Sequence, residues 1–506
     1  MKLDLFFNSL KIAVSKFREI YKNKRIKIIS HLDADGISAA SILIKALERE
    51  NVIHSISIVS TLDSDNLENI LNEEFDIIFF TDLGSGQFNL ITKKIKDLET
   101  SKQTKIPVFI LDHHKPESQE IISSITHINP HFQEIDGGSQ VSGSGVVYLF
   151  CKELNKKNKD SAHLAVIGAI GDAQEINKKG FVGLNKQILE DAISNNTIEV
   201  ITGLNFFGAQ TKPLYKLLDY CTDPYIPGVS GNESGAIKFL QDLGIEPKTN
   251  SKNRDVNPNP DWKKLNDLSA QEIQDLRKAI ILKRKDQPNP ENIFGLNYIL
   301  LNEEPQTPFR DAREFSTLLN SCGRLNKASL GIGACLNNTK IKKEALLNLA
   351  QYKKEILGAI TWFNNHRNGI DVIEKVYDPH TKKTLKTPYI IINAQDNIMH
   401  TMIGTLASII SRGKFFPKGT FILSIAWNKK DFSKISLRIA QSRNNKQLNL
   451  RNTLQSIIKK VGGECGGHQY AAGALIETSK EKAFIGAAIK FFKQLEKNSK
   501  KEIKKK

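Results

Sequence analysis

The sequence predicts an α/β fold: a parallel-sheet domain, a mainly helical middle module, a connecting helix and a smaller α/β domain. Three observations predict it. Residues 1 to about 200 alternate apolar, β-branched runs with helical patterns, and the runs are long and unbroken enough for strands buried on both faces. Between 341 and 366, apolar residues recur at helical spacing. After that helix, "PYIIINA", "GTFILSIAW" and "KISLRIA" bring strand patterns back.

The elements follow in order. "LFFNSLKIAVSKFREIYKNKR" mixes charges into an amphipathic helical pattern, so it reads as neither signal peptide nor membrane span. The first strand lies in "RIKIISHLDADGISAA", where Gly36 and small residues mark the turn into a helix and His31, Asp33 and Asp35 crowd the strand's end. Taken alone, those aspartates are explained by capping. The pattern recurs, however: "EFDIIFFTDLGSG" ends in Asp82, and "IPVFILDHHKP" ends in Asp112, His113 and His114. Ligands of an open α/β sheet bind outside the carboxyl ends of its strands, so these groups are expected to converge on one crevice. Capping does not explain three coincident endings. A further acid, Asp172, closes the apolar helical run of "HLAVIGAIGDAQE".

Pro, Gly and aromatics then gather in "FFGAQTKPLYKLLDYCTDPYIPGVSG", and residues 201 to about 335 read as helices joined by loops, with 247 to 260 as a disordered stretch. Leu346, Leu349, Ile356, Ile360 and Phe363 mark the long connecting helix. There is no internal repeat.

Composition sets outer bounds. A chain of 506 residues, 40% hydrophobic, suggests two or three domains. Its five cysteines, at 151, 221, 322, 335 and 465, form no CxxC pair, which argues against a disulfide framework or zinc ribbon and for a reducing cytoplasm. The net charge of +17 favours an anionic partner such as nucleic acid; the last ten residues hold six lysines and one glutamate. No basic amphipathic helix with large exposed aromatics points to a membrane.

Aspartate oxygens with imidazole nitrogens suit manganese, zinc or iron, whereas oxygen-only sets suit magnesium or calcium. His31, Asp33, Asp35, Asp82, a histidine of the 113–114 pair and Asp172 are enough ligands for two ions. Near the other end, glycines at 462, 463, 466, 467 and 473 are expected to form an anion-binding loop. With His468, and with Ser436 and Arg438 on a predicted strand, that loop reads as a clamp for a substrate phosphate or nucleotide. Cys465 reads as a small filler.

"HLDADG", "TDLGSG", "LDHHKP" and "IGAIGD" resemble the four ordered motifs of the DHH phosphoesterases, and "ISLRIA" with "GGECGGHQYAAGA" resembles the signature of the DHH-associated C-terminal domain. The resemblance spans most of the chain and implies a DHH domain over 1–200, a helical insertion over 201–340, a connecting helix over 341–368, a substrate-binding domain over 369–496 and a basic tail over 497–506. It implies two divalent ions, manganese first and magnesium or zinc as alternatives. His31 and Asp33 then hold one, Asp35, His113 and Asp172 the other, and Asp82 bridges them. His114 stands beside the reacting phosphate, and Asp112 orients the histidine pair. Within the family the chain is similar to the RecJ-like branch, and "TDPYIPGVSG" with "EFSTLLNSCGRLNKASLGI" resembles archaeal RecJ-like nucleases associated with the replication factor GINS. The implied activity is hydrolysis at the ends of single-stranded DNA or RNA, in replication or repair. Phosphoesterases of short oligonucleotides or cyclic dinucleotides, and a non-catalytic replisome subunit binding GINS, are the alternatives. Two departures stand out: many relatives carry Asp in place of His31, and Glu464 and Cys465 interrupt a glycine run that relatives often keep unbroken.

Overall fold

A computed structural model describes residues 2–175, 180–221, 225–248, 262–287, 289–367, 369–377, 383–413, 415–428, 431–441 and 449–503. Most of the stretch expected to be disordered, and the end of the basic tail, lie outside the described residues. The chain divides into two compact units, Met1–Leu346 and Leu347–Lys506.

The first unit opens with helix α1 (Lys2–Ile20), then β1 (Arg25–His31), α2 (Ala34–Arg49), β2 (Ile53–Val59), α3 (Ser64–Leu71), β3 (Ile77–Thr81), α4 (Phe88–Lys102), β4 (Val108–Leu111) and β5 (Ile125–Ile128). The five strands form one sheet in the order β2-β1-β3-β4-β5. Every pairing is parallel. Side chains alternate between its faces. Phe79 stacks on Phe109 at 4.7 Å on one face, beneath Phe17 of α1. Phe80, Ile78 and Ile110 point to the other, against Leu67, Ile70, Ile91 and Ile95 of α3 and α4. Cover on both faces explains the continuous apolar runs.

Next come α5 (Gly143–Leu154), α6 (Ala162–Gly171), α7 (Gly183–Ser194) and β6 (Ile198–Leu204), then α8 (Leu214–Asp219), α9 (Glu233–Asp242), α10 (Ala270–Lys283) and β7 (Phe294–Leu300). Strands β6 and β7 pair antiparallel, from Ile198↔Leu300 to Leu204↔Phe294, a small sheet that sequence reading does not find. The helices between them share a core of Leu214, Leu218, Phe239, Leu240, Leu276 and Ile280. Helices α11 (Ala312–Arg324) and α12 (Ala328–Cys335) follow, and α11 packs on α6 and α2. The predicted long helix is α13 (Thr339–His366).

The second unit contains β8 (Val372–Tyr377), β9 (Thr384–Asn393), α14 (His400–Arg412), β10 (Phe421–Asn428), β11 (Phe432–Ile439), α15 (Leu450–Ile458), β12 (Glu464–His468), β13 (Ala471–Glu477) and α16 (Glu481–Ile503). Its six-stranded sheet runs β12-β13-β11-β10-β9-β8. Leu423, Ile435 and Leu437 pack with Leu454, Phe484 and Phe492 on one face. No helix of the described residues is long and apolar enough to cross a membrane.

Candidate metal centre

Strands β1, β3 and β4 are neighbours and parallel, so their carboxyl ends share one edge of the sheet. His31 is the last residue of β1. Asp33 caps α2, its Oδ1 accepting Gly36 N–H at 3.1 Å, while its Oδ2 faces His31 Nδ1 at 2.9 Å. Capping and site chemistry therefore meet in one residue. Asp35, in the first turn of α2, is fully buried. Its carboxylate accepts the N–H groups of Gly143 at 2.7 Å and Ser144 at 3.1 Å, the start of α5, and the Ser144 hydroxyl. A helix N-terminus is a favourable place for a buried anion.

Asp82 follows β3 with φ 58°, a left-handed conformation that a non-glycine residue adopts at an expense on the order of 1–3 kcal/mol. The surroundings hold it there. A Cβ on Gly143 would lie 2.3 Å from Asp82 Oδ1, so only glycine allows α5 to start against this carboxylate. After β4, Asp112 accepts the N–H groups of His113 and His114 through Oδ1 and that of Ser85 through Oδ2. The same Oδ1 accepts from His114 Nδ1 at 2.8 Å. This geometry makes Asp112 the anchor of the histidine pair.

The six residues expected to bind metal come together. His113 Nε2 lies 3.2 Å from Asp172 Oδ2, 3.3 Å from Asp82 Oδ1 and 3.8 Å from Asp35 Oδ2. On the other side His31 Nδ1 stands 3.8 Å from Asp82 Oδ2. Ligand atoms of His31, Asp33 and Asp82 lie within 4.8 Å of one another, as do those of Asp35, His113 and Asp172, and those of Asp82, Asp112, His113 and His114. His113 Nδ1 donates to the Gly137 carbonyl at 2.6 Å, which turns Nε2 toward the carboxylates.

Burial and the Asp35 charge push the carboxyls of Asp82 and Asp172 well above the usual range. Burial alone would lower the His113 imidazole, but its hydrogen bond to Asp82 and the charges of Asp172, Asp82 and Asp35 outweigh that and raise it. Burial likewise opposes, and the neighbouring histidines overcome it, at Asp112 and Asp33, both held below the ordinary carboxylate range. Four carboxylates crowded around two imidazoles, strained by their own repulsion, fit divalent cations by donor type and arrangement.

A pH dependence follows. Asp82, Asp172 and His113 hold protons more tightly folded than unfolded, so in the metal-free chain their contribution to stability falls as pH rises above the ordinary carboxylate range and on through neutrality. Asp33 and Asp112 contribute above that range and stay constant in this window. Thermal melts in chelator should therefore fall between about pH 5.5 and 8.5, and manganese should flatten the fall because it binds deprotonated ligands. A melting temperature that rises with pH in chelator would contradict this.

The second unit places the other expected residues. Ser436 and Arg438 share the face of β11 that α14 covers, with Arg438 Nε donating to Ser408 Oγ at 3.0 Å. Ser408, and Gly404, whose added Cβ would lie 3.1 Å from Ser436 Oγ, carry no sequence signal. The expected glycine loop is instead a hairpin: Gly466 pairs with Gly473 and Gly467 with Ala472, with Gly462, Gly463 and Gly467 at positive φ. Glycine carries no strand signal, which is why the sequence suggests a loop. The His468 side chain lies outside the described residues. Cys465 is half-buried, its thiol pushed up to about 11 by burial.

Sequence reasoning also misses the support beneath the histidines. Ser85 Oγ meets His127 Nε2 at 2.8 Å, and Asn129 Nδ2 donates to Ser85 Oγ and to the His114 carbonyl, both at 2.8 Å. Burial takes His127 down to about 4, so it is neutral at physiological pH. The Asn-Pro pair at 129–130, a common turn signal, was the available clue.

Comparison with known proteins finds similarity along most of the chain. The chain matches the DHH family N-terminal domain over residues 25–171, the DHH-CID domain over 206–291 and the DHHA1 domain over 386–494. It is 30% identical over 465 residues to an uncharacterized protein of Methanocaldococcus jannaschii, with 91% of each chain covered. RecJ from Thermus thermophilus, solved in complex with Mn2+, is similar with a TM-score of 0.55 at 14% identity over 96% of this chain; the chain spans 55% of that RecJ. CDC45 from Entamoeba histolytica is similar with a TM-score of 0.60 at 14% identity, with 96% of this chain and 99% of that one covered.

Proposed function

Because the chain belongs to the DHH family, we propose that it is a metal-dependent phosphodiesterase that degrades single-stranded nucleic acid from an end. The observation that carries this is the convergence of His31, Asp33, Asp35, Asp82, His113 and Asp172 on one sheet edge. His31 and Asp33 would hold one ion, Asp35, His113 and Asp172 a second, with Asp82 between them. Ions so held would supply Lewis-acid polarisation of the phosphodiester and activation of water at neutral pH. Manganese is supported by the mixed nitrogen and oxygen donors and by the Mn2+ of the Thermus RecJ structure.

The chain's own groups do the rest. Asp112 fixes the His114 ring, a third exposed, through Nδ1, so that in the doubly protonated ring Nε2–H would donate toward charge developing on a phosphoryl oxygen. Charge placement favours a polymer. Residues 386–494 hold seventeen Lys and Arg against five Asp and Glu, whereas 25–171 hold fourteen against twenty. A strand is thus attracted mainly by the second unit, where Ser436 and Arg438 are the proposed phosphate contacts. Affinity for a single strand should accordingly fall at least about tenfold between roughly 50 and 200 mM salt. A flat response would argue for a short substrate.

The likeness to CDC45 favours a second reading, a non-catalytic replication subunit with a GINS-like partner. The complete ligand set speaks against it. Incubating the chain with manganese and end-labelled 30-mers of DNA and RNA, beside a dinucleotide, separates the readings. Processive shortening of a 30-mer supports the exonuclease, cleavage of the dinucleotide alone supports the short-substrate phosphoesterase, and no cleavage supports the subunit.

A further inference from the structure

The turn that follows Asp172 is pinned from two sides. Ala173 adopts φ 55° and turns the chain back toward the sheet edge. Gln174 is 2% exposed, an unfavourable place for an amide unless its groups are bonded. Its Nε2 donates to the carbonyl of Gly137 at 2.9 Å and more distantly to that of Val141 at 3.3 Å, while its Oε1 accepts from Asn185 Nδ2 at 2.6 Å. The Gly137 oxygen is also the acceptor of His113 Nδ1, so the histidine and the glutamine are locked to one atom.

One residue on, Glu175 is gripped by Arg313 of α11. Nε reaches Oε2 at 3.1 Å and a terminal nitrogen reaches Oε1 at 2.9 Å, a fork that lysine cannot reproduce. The guanidinium is itself fixed, donating to the Leu296 carbonyl of β7 at 2.7 Å and lying 5.4 Å from the Tyr298 ring centre. Neither Gln174 nor Arg313 is among the groups that face the proposed ions. Both act on a pair that does, since Asp172 Oδ2 and His113 Nε2 stand 3.2 Å apart.

We infer that Gln174 and Arg313 are positioning residues that hold Asp172 and His113 as one unit, Gln174 through the shared Gly137 carbonyl and Arg313 through Glu175. The inference rests on the two-ion reading and specifies which ion it concerns, the one shared by Asp35, His113 and Asp172. Outer partners that orient metal ligands typically affect affinity by about 10–100-fold.

Calorimetric titration of the metal-free full chain with Mn2+, with a thermal melt of each protein, tests it. Gln174→Met keeps the length and removes both hydrogen-bonding groups; it should weaken one of two binding events by about 10–100-fold and leave the other nearly unchanged. Arg313→Lys keeps the charge without the fork and should weaken the same event by a smaller factor. Two binding events unchanged from wild type in these variants would overturn the inference. So would an equal weakening of both together with a lowered melting temperature, the mark of a merely structural role. If Gln174→Met does not fold, Arg313→Lys, which leaves the buried amide in place, decides by the same outcomes. A wild-type chain that binds no Mn2+ overturns the two-ion reading and this inference together; two ions in wild type with unaltered variants overturns the positioning alone.

Discussion

Asp82→Asn should lower hydrolysis of a single strand by roughly 10³-fold while leaving the affinity for that strand within about twofold, since losing one preorganised electrostatic group removes factors of this order. Asp82 is the residue common to the His31 and His113 sides of the centre, with one carboxylate oxygen facing each imidazole. Asparagine keeps the shape and removes the charge. Strand affinity should survive because the Lys and Arg excess lies in 386–494, far along the sequence from this carboxylate. A second consequence has the opposite sign: burial and the Asp35 charge already penalise the ionised Asp82, so the metal-free Asn variant should melt higher than wild type above neutral pH. Cleavage rates, fluorescence anisotropy with a labelled strand, and melts in chelator check all three. An Asn variant that cleaves at the wild-type rate would remove Asp82 from the centre.

Gly323→Ala should be the most disruptive single methyl near the site. A Cβ there would lie 1.6 Å from the Leu32 carbonyl oxygen and 2.7 Å from its carbon, a methyl driven into backbone with no rotamer to relieve it. Helix α11 must then move off the turn between His31 and Asp33, whose neighbour Ala34 donates its N–H to Asn320 Oδ1 at 3.1 Å. We expect destabilisation of about 3 kcal/mol or more, the upper part of the range for overpacking, together with weaker manganese binding. Gly358→Ala in α13, where an added Cβ meets nothing within 4 Å, is the control and should be neutral or stabilising. Urea unfolding of the two variants compares them directly; equal midpoints would mean that α11 does not seat the turn.

The strands that carry the centre were legible because a parallel sheet covered on both faces leaves unbroken apolar runs, and a polar cluster at the end of such a run stands out. His31, Asp82 and His113 were found in that way. Asp112, at the end of the same run as the histidines it anchors, was legible too; the other residues that hold the ligands were not, because their contacts join distant parts of the chain through ordinary residue types. Gly143 and Ser144 meet Asp35 more than a hundred residues away, and Arg313 meets Glu175 across 138 positions. The segment "EFSTLLNSCGRLNKASLGI" had no chemical role in the sequence; in the fold its Asn320 and Gly323 lie against the His31–Asp35 turn. Strands β6 and β7 escaped because "IEVITGL" is largely open to solvent, "FGLNYIL" mixes buried and partly buried positions without strict alternation, and each is interrupted by glycine.

The most direct measurement is titration of the metal-free chain with manganese while following cleavage of an end-labelled single strand. Turnover should be absent in chelator, appear as manganese is added, and reach its plateau when two equivalents are bound. Cleavage that persists under exhaustive chelation, or a chain that binds two equivalents and leaves single strands and dinucleotides alike intact, would contradict a metal-dependent phosphodiesterase.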